Sequence, residues 1–153
     1  MSFHERLLTL GIDLRQVPTP IGNFRNYKRV GQLIYISGQG PVEADGFLHR
    51  GKVGGDVSVD EAYKHARLTG LNLLSVLAEA AGGLDRVAQV VKLFGMVNAV
   101  PDFAEHPRVI NGCSDLLVSV FGKEGEHARS SIGVGSLPNN ITVEIEAIFE
   151  LRS

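Results

Sequence analysis

Two side chains towards the end of the sequence have the types that bind an anion and move a proton. Arg129 carries a planar fork of N–H donors that matches a carboxylate, and Glu144 can accept or hold a proton. Both lie in segments where polar and apolar residues alternate, which predicts strands. If these strands are neighbours, Arg129 and Glu144 share the polar face of one sheet. A solvated ion pair, worth about 0–1 kcal/mol, is the simpler interpretation.

The residues that follow Arg129 favour a binding site over a surface ion pair. Gly133 and Gly135 fall on the same face of the strand as Arg129 and Ser131. Because glycine has no side chain, a ligand or a second subunit can approach the backbone there. The pattern alone leaves both interpretations open.

Other chemistries lack the residues that they need. The single cysteine, Cys113, cannot form a thiolate metal site, and the segment Ser37–Gly40 lacks the lysine of a phosphate-binding loop. Cys113 lies on an apolar stripe with helical spacing in residues 109–121, so we expect a buried core thiol rather than a nucleophile. The histidines show no pairing at metal-ligand spacing; they are His4, His49, His65, His106 and His127. We therefore expect no metal and no organic cofactor.

The elements that position these side chains follow from periodicity and from turn residues. A helix is expected to begin at the capping box of Ser58 and Glu61 and to end at Gly82. Asp102 is expected to open a second long helix. The other expected elements are a short helix in residues 2–10 that Gly11 ends, an extended linker at 17–20, a hairpin of strands 24–30 and 32–37 with Gly31 at its turn, and strands at 87–97, 129–134 and 141–151.

This order of elements predicts an α/β (α+β) fold with a single mixed sheet and two helices packed on one face. The strand at 141–151 indicates which face the helices cover. Every second residue from Ile141 to Leu151 is apolar, whereas Glu144, Glu146 and Glu150 fall on the other face. The helices should therefore pack on the apolar face of this strand.

Composition argues against several classes of function. A chain of 153 residues with 44% hydrophobic and 21% charged residues suits one ordered domain. The net charge is −2 and the basic residues are scattered, so we do not expect nucleic-acid binding. The start lacks the features of a signal peptide, and no apolar run approaches the ~20 residues that a membrane span needs. We expect a cytoplasmic protein without membrane association.

Several motifs together make the sequence resemble the RidA family, also called YjgF or L-PSP. The resemblance covers residues 17–152, which predicts an N-terminal helical extension at 1–16 and a RidA/YjgF-like domain at 17–153. The motifs that carry it are Ala128 to Pro138, Val143 to Ile148, Ile21-Gly22, Leu33 to Gln39 and Asn72 to Gly82.

The resemblance implies a chorismate-mutase-like fold and a homotrimer whose sheets form a central barrel, with a site in each cleft between subunits. Active members hydrolyse reactive imines and enamines derived from amino acids, releasing ammonia and a 2-oxo acid. In that pattern Arg129 holds the substrate carboxylate, Glu144 activates the attacking water, and the backbone near Ser131 helps to bind the substrate. Ser37 matches a further substrate-binding position of the family.

Three positions depart from the family pattern. Phe24 stands where the family has a site tyrosine, Ser131 where it has a cysteine, and Pro101 where it has an asparagine ahead of Asp102-Phe103. These changes remove a hydroxyl and an amide that could hydrogen-bond a substrate. The resemblance therefore implies a divergent branch that retains the arginine.

Three functions follow from these expectations. The first is an enzyme that hydrolyses a small carboxylated imine or enamine with Arg129 and Glu144. The second is a trimer that binds a small carboxylate without catalysis, which the changes at Phe24 and Pro101 would permit. The third is the endoribonuclease that the L-PSP name implies, which the acidic net charge and the lack of a histidine pair disfavour.

Overall fold

The described part of the chain forms a five-stranded sheet and three helices. The computed structural model describes residues 1–14, 17, 19–20 and 22–153. Short 3-10 turns lie at Leu84–Arg86, Gly122–Gly125 and Pro138–Asn140. The helices and strands are α1 (Phe3–Thr9), β1 (Tyr27–Val30), β2 (Leu33–Gln39), α2 (Val59–Ala81), β3 (Val87–Asn98), α3 (His106–Phe121), β4 (Ala128–Val134) and β5 (Val143–Leu151).

The strands lie in the order β1-β2-β5-β3-β4. Strands β3 and β4 are parallel, and the other neighbouring pairs are antiparallel. The predicted single mixed sheet is confirmed, with β5 at its centre and with β1 and β4 at its two edges. The predicted hairpin is confirmed as well, although β1 begins at Tyr27 rather than at Phe24. Gly31 occupies its turn with φ 60°, a conformation that glycine adopts without strain.

Helices α2 and α3 cover one face of the sheet and contact each other. The capping box at the start of α2 forms as expected, since Ser58 and Glu61 each bond the other's backbone N–H. The helix ends at Gly82 with φ 76°. At Gly112 the backbone of α3 packs against the carbonyl group of Tyr63 on α2, so that any side chain at 112 would overlap it. The expectation of two long helices on one face is confirmed.

The prediction that Asp102 opens the second helix is wrong. Helix α3 begins at His106, and residues 100–103 form a turn in which the Phe103 N–H donates to the Val100 carbonyl oxygen at 3.1 Å. Pro101 lies second in this turn, a position that suits its fixed φ. The turn at residues 100–103 therefore moves the start of α3 to His106, so that Pro107 lies in the first turn of the helix.

The alternation in β5 has the expected result, since its apolar side lies in the core beneath the helices. The buried residues in β5 and just before it are Ile141, Val143, Ile145, Ala147, Phe149 and Leu151.

Cys113 is fully buried in the same core, and burial raises the pKa of its thiol to about 12. The prediction of a core thiol is confirmed.

The predicted short N-terminal helix is confirmed as α1, which packs on the core. Its Phe3 ring meets the Phe121 ring edge-on, with the ring centroids 4.9 Å apart. Pro18 of the expected linker, Ile21 of the family motif and the expected domain boundary after residue 16 lie outside the described residues. In the part of the chain that the structure describes, no helix combines the length and apolarity required to cross a membrane.

Candidate functional site

Arg129 and Glu144 lie on opposite faces of the sheet, so the prediction that they share its polar face is wrong. Strand β3 separates β4 from β5. In the register of these strands, Arg129 lies beside Leu93 and Leu93 beside Ala147, all on the side that the helices cover. Glu144 lies beside Met96, on the open face. Each side chain therefore belongs to a separate group of residues.

The first group surrounds the Arg129 side chain, which is half-buried between β4 and α3. Its Nη1 donates to Asn111 Oδ1 at 2.8 Å and to Ser114 Oγ at 3.0 Å. Both partners are neutral, and among the described residues no carboxylate lies within ion-pair distance of the guanidinium. No carboxylate of the described residues therefore compensates the positive charge of Arg129.

Ser114 connects Arg129 to His127, which lies in the loop after α3. Its Oγ lies 2.9 Å from Nε2 of His127, and Nδ1 of His127 lies 2.6 Å from the carbonyl oxygen of Gly125. Burial of the ring, together with the charge of Arg129, lowers the pKa of His127, while the bond to Gly125 raises it less. The site residues predicted from the sequence did not include Asn111, Ser114 or His127. The three-residue spacing of Asn111 and Ser114 on one helix face was the available signal.

The free edge of β4 lies beside the Arg129 group. The Val134 carbonyl accepts from the Ala99 N–H on the side of β3. Because backbone groups alternate sides along a strand, the N–H and C=O of Ser131 point away from β3, towards the open edge. The Ser131 Oγ is buried and has no hydrogen-bond partner among the described residues. The edge therefore offers backbone donors close to Arg129.

The expected open space beside Arg129 is only partly present. The imidazole of His106 packs directly against Gly133, where it fills the position that a side chain would take. Around Gly135, in contrast, no atom of the described chain lies within 4 Å of where a side chain would begin. The glycine at 133 thus accommodates His106 and does not leave a vacant approach.

The second group surrounds Glu144 on the open face. A side-chain carbon on Gly38 would lie 2.6 Å from Glu144 Oε2, so the carboxylate packs against the bare backbone of β2. Burial, and then the charge of Glu146, raise the pKa of Glu144. Within the described residues its carboxylate accepts no hydrogen bond and forms no salt bridge. A half-buried carboxylate with a raised pKa suits a general base or acid.

Phe24 and Glu144 line one cavity of about 320 Å³, which Gly38, Leu48 and Asn139 also border. The ring of Phe24 is 47% exposed and supplies an apolar wall. Ser37 lies close by but lines a different cavity, and its Oγ donates to the Arg25 carbonyl oxygen at 2.6 Å. Among the expected site residues, the structure thus brings Phe24 and Glu144 together, and separately Arg129 and Ser131.

Two histidines that are distant in sequence lie together in the fold, a contact that sequence spacing did not predict. The rings of His49 and His65 stack with their centroids 4.3 Å apart, although the two residues are distant in sequence. His49 Nε2 contacts Glu43 Oε1 at 3.0 Å, and His65 Nδ1 contacts Thr142 Oγ1 at 2.9 Å. In the described part of the chain, no three histidine, cysteine or acidic side chains gather as a metal site would require.

Comparison with known proteins agrees with this fold. A family model described as "YjgF/chorismate mutase-like, putative endoribonuclease" matches residues 4–151. The chain belongs to the YjgF (RidA) family. As a YjgF-family chain it is 41% identical to Protein TCP17 of Trypanosoma cruzi over 96% of its own length and 92% of that protein's length.

Two further YjgF-family comparisons bear on fold and activity. The crystal structure of Atu1372 from Agrobacterium tumefaciens, of unknown function, superposes with a TM-score of 0.90 at 40% identity, covering 98% of this chain and 92% of that one. A 2-iminobutanoate/2-iminopropanoate deaminase of Dermatophagoides farinae is 29% identical over 86% of this chain and 88% of that protein. The YjgF fold is therefore established for this chain, and the family includes an imine deaminase.

Proposed function

We propose that the protein hydrolyses small imines and enamines that carry a carboxylate, producing a 2-oxo acid and ammonia. The observation that carries this proposal is the uncompensated charge of Arg129, whose bonds to Asn111 and Ser114 leave it without an anionic partner among the described residues. A guanidinium held in this way is prepared for a bound carboxylate. The related protein of Dermatophagoides farinae is named as a deaminase of 2-iminobutanoate and 2-iminopropanoate, which are imines that carry a carboxylate.

The two groups require a second subunit to form one site. Arg129 lies on the edge strand β4, whereas Phe24 precedes the opposite edge strand β1. A head-to-tail ring places the β4 edge of one subunit beside the β1–β2 edge of the next, and such a ring closes by rotation. We propose the homotrimer that the family resemblance implies, with three clefts of this kind.

The open face of the sheet supports the same assembly. Tyr35 and Ile132 on this face are each 42% exposed, and Phe94, Met96 and Ile148 are partly exposed beside them. Apolar side chains on one continuous sheet face favour burial against other copies. In the proposed trimer these faces meet and form the central barrel.

The proposed reaction needs only the residues already described. Arg129 and the edge N–H of Ser131 hold the substrate carboxylate, which fixes the imine carbon. Water attacks that carbon while Glu144 accepts a proton from the water. Glu144 returns this proton to the nitrogen, which gives a neutral tetrahedral intermediate. The hydroxyl proton of that intermediate then also moves to the nitrogen as the C–N bond breaks, so that ammonia leaves and a carbonyl remains. Phe24 borders the cavity that contains Glu144. The Ser37 hydroxyl donates to the carbonyl oxygen of Arg25 and so fixes the segment next to Phe24.

This chemistry requires no metal and no organic cofactor, because the imine carbon is already electrophilic. We propose that the protein acts in the cytoplasm, where amino-acid metabolism generates such imines. The single cysteine is compatible with a reducing compartment.

A coupled assay tests the proposal. An amino-acid oxidase generates 2-iminopropanoate from alanine, and the release of pyruvate is followed with and without the protein, alongside calorimetry with pyruvate as a ligand. We expect faster release of pyruvate and measurable pyruvate binding. Imine hydrolysis that is unchanged by saturating protein, together with absent pyruvate binding, would exclude the proposal.

Binding without catalysis is the second candidate, and Phe24 is the observation that favours it. This side chain borders the Glu144 cavity and brings no hydroxyl that could hydrogen-bond a water or an intermediate. Pyruvate binding without accelerated hydrolysis in the same experiment would select this function.

The endoribonuclease activity in the family description receives less support from the residues. His49 and His65 are stacked and engaged with Glu43 and Thr142, so they cannot stand on opposite sides of a phosphate as an acid–base pair must. RNA cleavage by highly purified protein, abolished by a change at Arg129, would reverse this ranking.

A further inference from the structure

One helical hydroxyl departs from the pattern that the others follow. Ser114 Oγ on α3 contacts His127 Nε2 at 2.9 Å and Arg129 Nη1 at 3.0 Å. A helical serine or threonine ordinarily donates to a carbonyl of its own helix. The other serine and threonine hydroxyls in the described helices do so, each reaching the carbonyl oxygen four residues earlier at 2.8–3.1 Å; they are Thr9, Thr69, Ser75 and Ser119.

For a neutral His127 ring, the partners determine the direction of each hydrogen bond in this chain of groups. The Gly125 carbonyl oxygen only accepts, so Nδ1 of His127 carries the proton and Nε2 of the neutral ring is an acceptor. Arg129 only donates, so Ser114 Oγ accepts from Nη1 and directs its own hydrogen to Nε2. Every donor and acceptor is then matched. The burial that lowers the pKa of His127 favours the same neutral ring.

The bonds to Asn111 and Ser114 both use Nη1 of Arg129. In the described part of the chain, Nε and Nη2 have no recorded partner and remain available on the other edge of the guanidinium. A bidentate contact with a carboxylate needs two such N–H groups in a fixed plane. Fixing that plane before the ligand arrives removes part of the entropy cost of binding.

We propose that His127 is a positioning residue for carboxylate binding, which acts through Ser114 to hold the Arg129 guanidinium in its binding orientation. This inference rests on the proposed function, because it concerns the same carboxylate subsite. His127 does not touch the ligand; its role is to keep the Ser114 oxygen turned towards Arg129.

Two substitutions of His127 separate this role from simple packing. His127→Gln can retain an acceptor near the position of Nε2, so Ser114 keeps its partner. His127→Asn retains a donor near the position of Nδ1 but leaves the Ser114 hydroxyl without a hydrogen-bond acceptor. We expect His127→Asn and Ser114→Ala to raise the dissociation constant for pyruvate about three- to tenfold, whereas His127→Gln stays within about twofold of the parent.

The same substitutions in an Arg129→Lys background test the route of the effect. If His127 acts through Arg129, then Ser114→Ala and His127→Asn should weaken pyruvate binding no further once Arg129 is replaced. Equal losses in both backgrounds would indicate a structural role and would overturn the inference. Circular dichroism and size-exclusion chromatography verify that each variant is folded.

A spectroscopic measurement makes the inference testable without any ligand. Nitrogen-15 NMR of the imidazole at neutral pH should report a neutral His127 with its proton on Nδ1, and Ser114→Ala should alter the Arg129 side-chain resonances. A proton on Nε2, or a charged ring, would overturn the inference. If Arg129→Lys itself leaves pyruvate binding unchanged, the proposed function fails. If Arg129→Lys weakens binding while His127→Asn does not, only the role of His127 fails.

Discussion

The Glu144 carboxylate packs against the backbone of Gly38, where a single added methyl group would lie 2.6 Å from Oε2. This contact links the central strand β5 to β2 at the point where the proposed water-activating group must be held. Glycine at 38 is therefore required for space and not for an unusual backbone angle.

Gly38→Ala should displace the Glu144 carboxylate and lower imine hydrolysis about ten- to a hundredfold, because a displacement of about 1 Å at a catalytic group can have an effect of this size. Pyruvate release in the coupled assay measures it. Pyruvate binding by the same variant is the control, and it should stay within about twofold of the parent, because Arg129 lies on the opposite face of the sheet. Hydrolysis equal to that of the parent would mean that Glu144 need not occupy this position.

Arg129→Lys should raise the dissociation constant for pyruvate at least about tenfold, equivalent to ~1.4 kcal/mol, because lysine keeps the charge but loses the planar fork. Calorimetry provides the measurement. Arg108→Lys serves as the control, because Arg108 forms exposed ion pairs with Asp60 and Glu105. If the Arg129 variant binds and turns over like the parent, Arg129 is not the carboxylate subsite.

Glu144→Gln should retain pyruvate binding while hydrolysis falls by about a hundredfold or more, because the amide cannot take a proton. In the parent protein, hydrolysis should rise with pH through the pKa of Glu144, which burial and the charge of Glu146 hold above the ordinary 4.5. A pH–rate profile measures this rise. If the same rise persists in Glu144→Gln, it belongs to another titrating group.

Cys113→Ala should lower the free energy of unfolding by about 1–2 kcal/mol, because it removes a buried atom from the contact between α2 and α3. Hydrolysis by the folded variant should stay near the parent rate. Urea unfolding and the coupled assay measure the two effects. In the native parent the thiol should also resist thiol reagents, since burial raises its pKa to about 12. Loss of activity in a folded variant would contradict the core assignment.

Stability should decrease as the pH falls from about 6.5 to about 4, partly because of His65. Burial, and then the charge of His49, lower the pKa of His65 from 6.5 to about 4, so in this interval the unfolded chain binds a proton that the folded chain does not. The His65 side chain is only partly buried, so the slope should stay well below the ~1.4 kcal/mol per pH unit of one fully linked proton. Urea titrations of the parent and His65→Gln across this interval should give a shallower slope for the variant. Identical slopes would show that His65 does not contribute to the pH dependence of stability.

Features that depend on nearby residues could be predicted from the sequence. The Ser58–Glu61 capping box and the alternation of β5 follow from spacing alone, and both are confirmed. The start of α3 could not be located, because Pro101 and Asp102 suit a turn as well as a helix start.

The relation between Arg129 and Glu144 depends on strand order, which no local pattern specifies. Each residue was assigned correctly to the alternation of its own strand. The error arose because β4 is not a neighbour of β5, and its register with β3 places Arg129 on the helix-covered face and Ile132 on the open face. The partners Asn111 and Ser114 could have been noticed from their helical spacing, but His127 follows α3 in a loop, where sequence gives no orientation.

The central place of β5 has a consequence for how the chain is made. The hairpin β1–β2 and the parallel pair β3–β4 contact each other in the sheet only through this strand. During translation, the two halves of the sheet therefore stay unjoined until residues 143–151 have left the ribosome. Until then, each half exposes an unpaired strand edge to neighbouring nascent chains, a state that invites aggregation. A chain that is truncated before residue 143 would keep these strand edges unpaired.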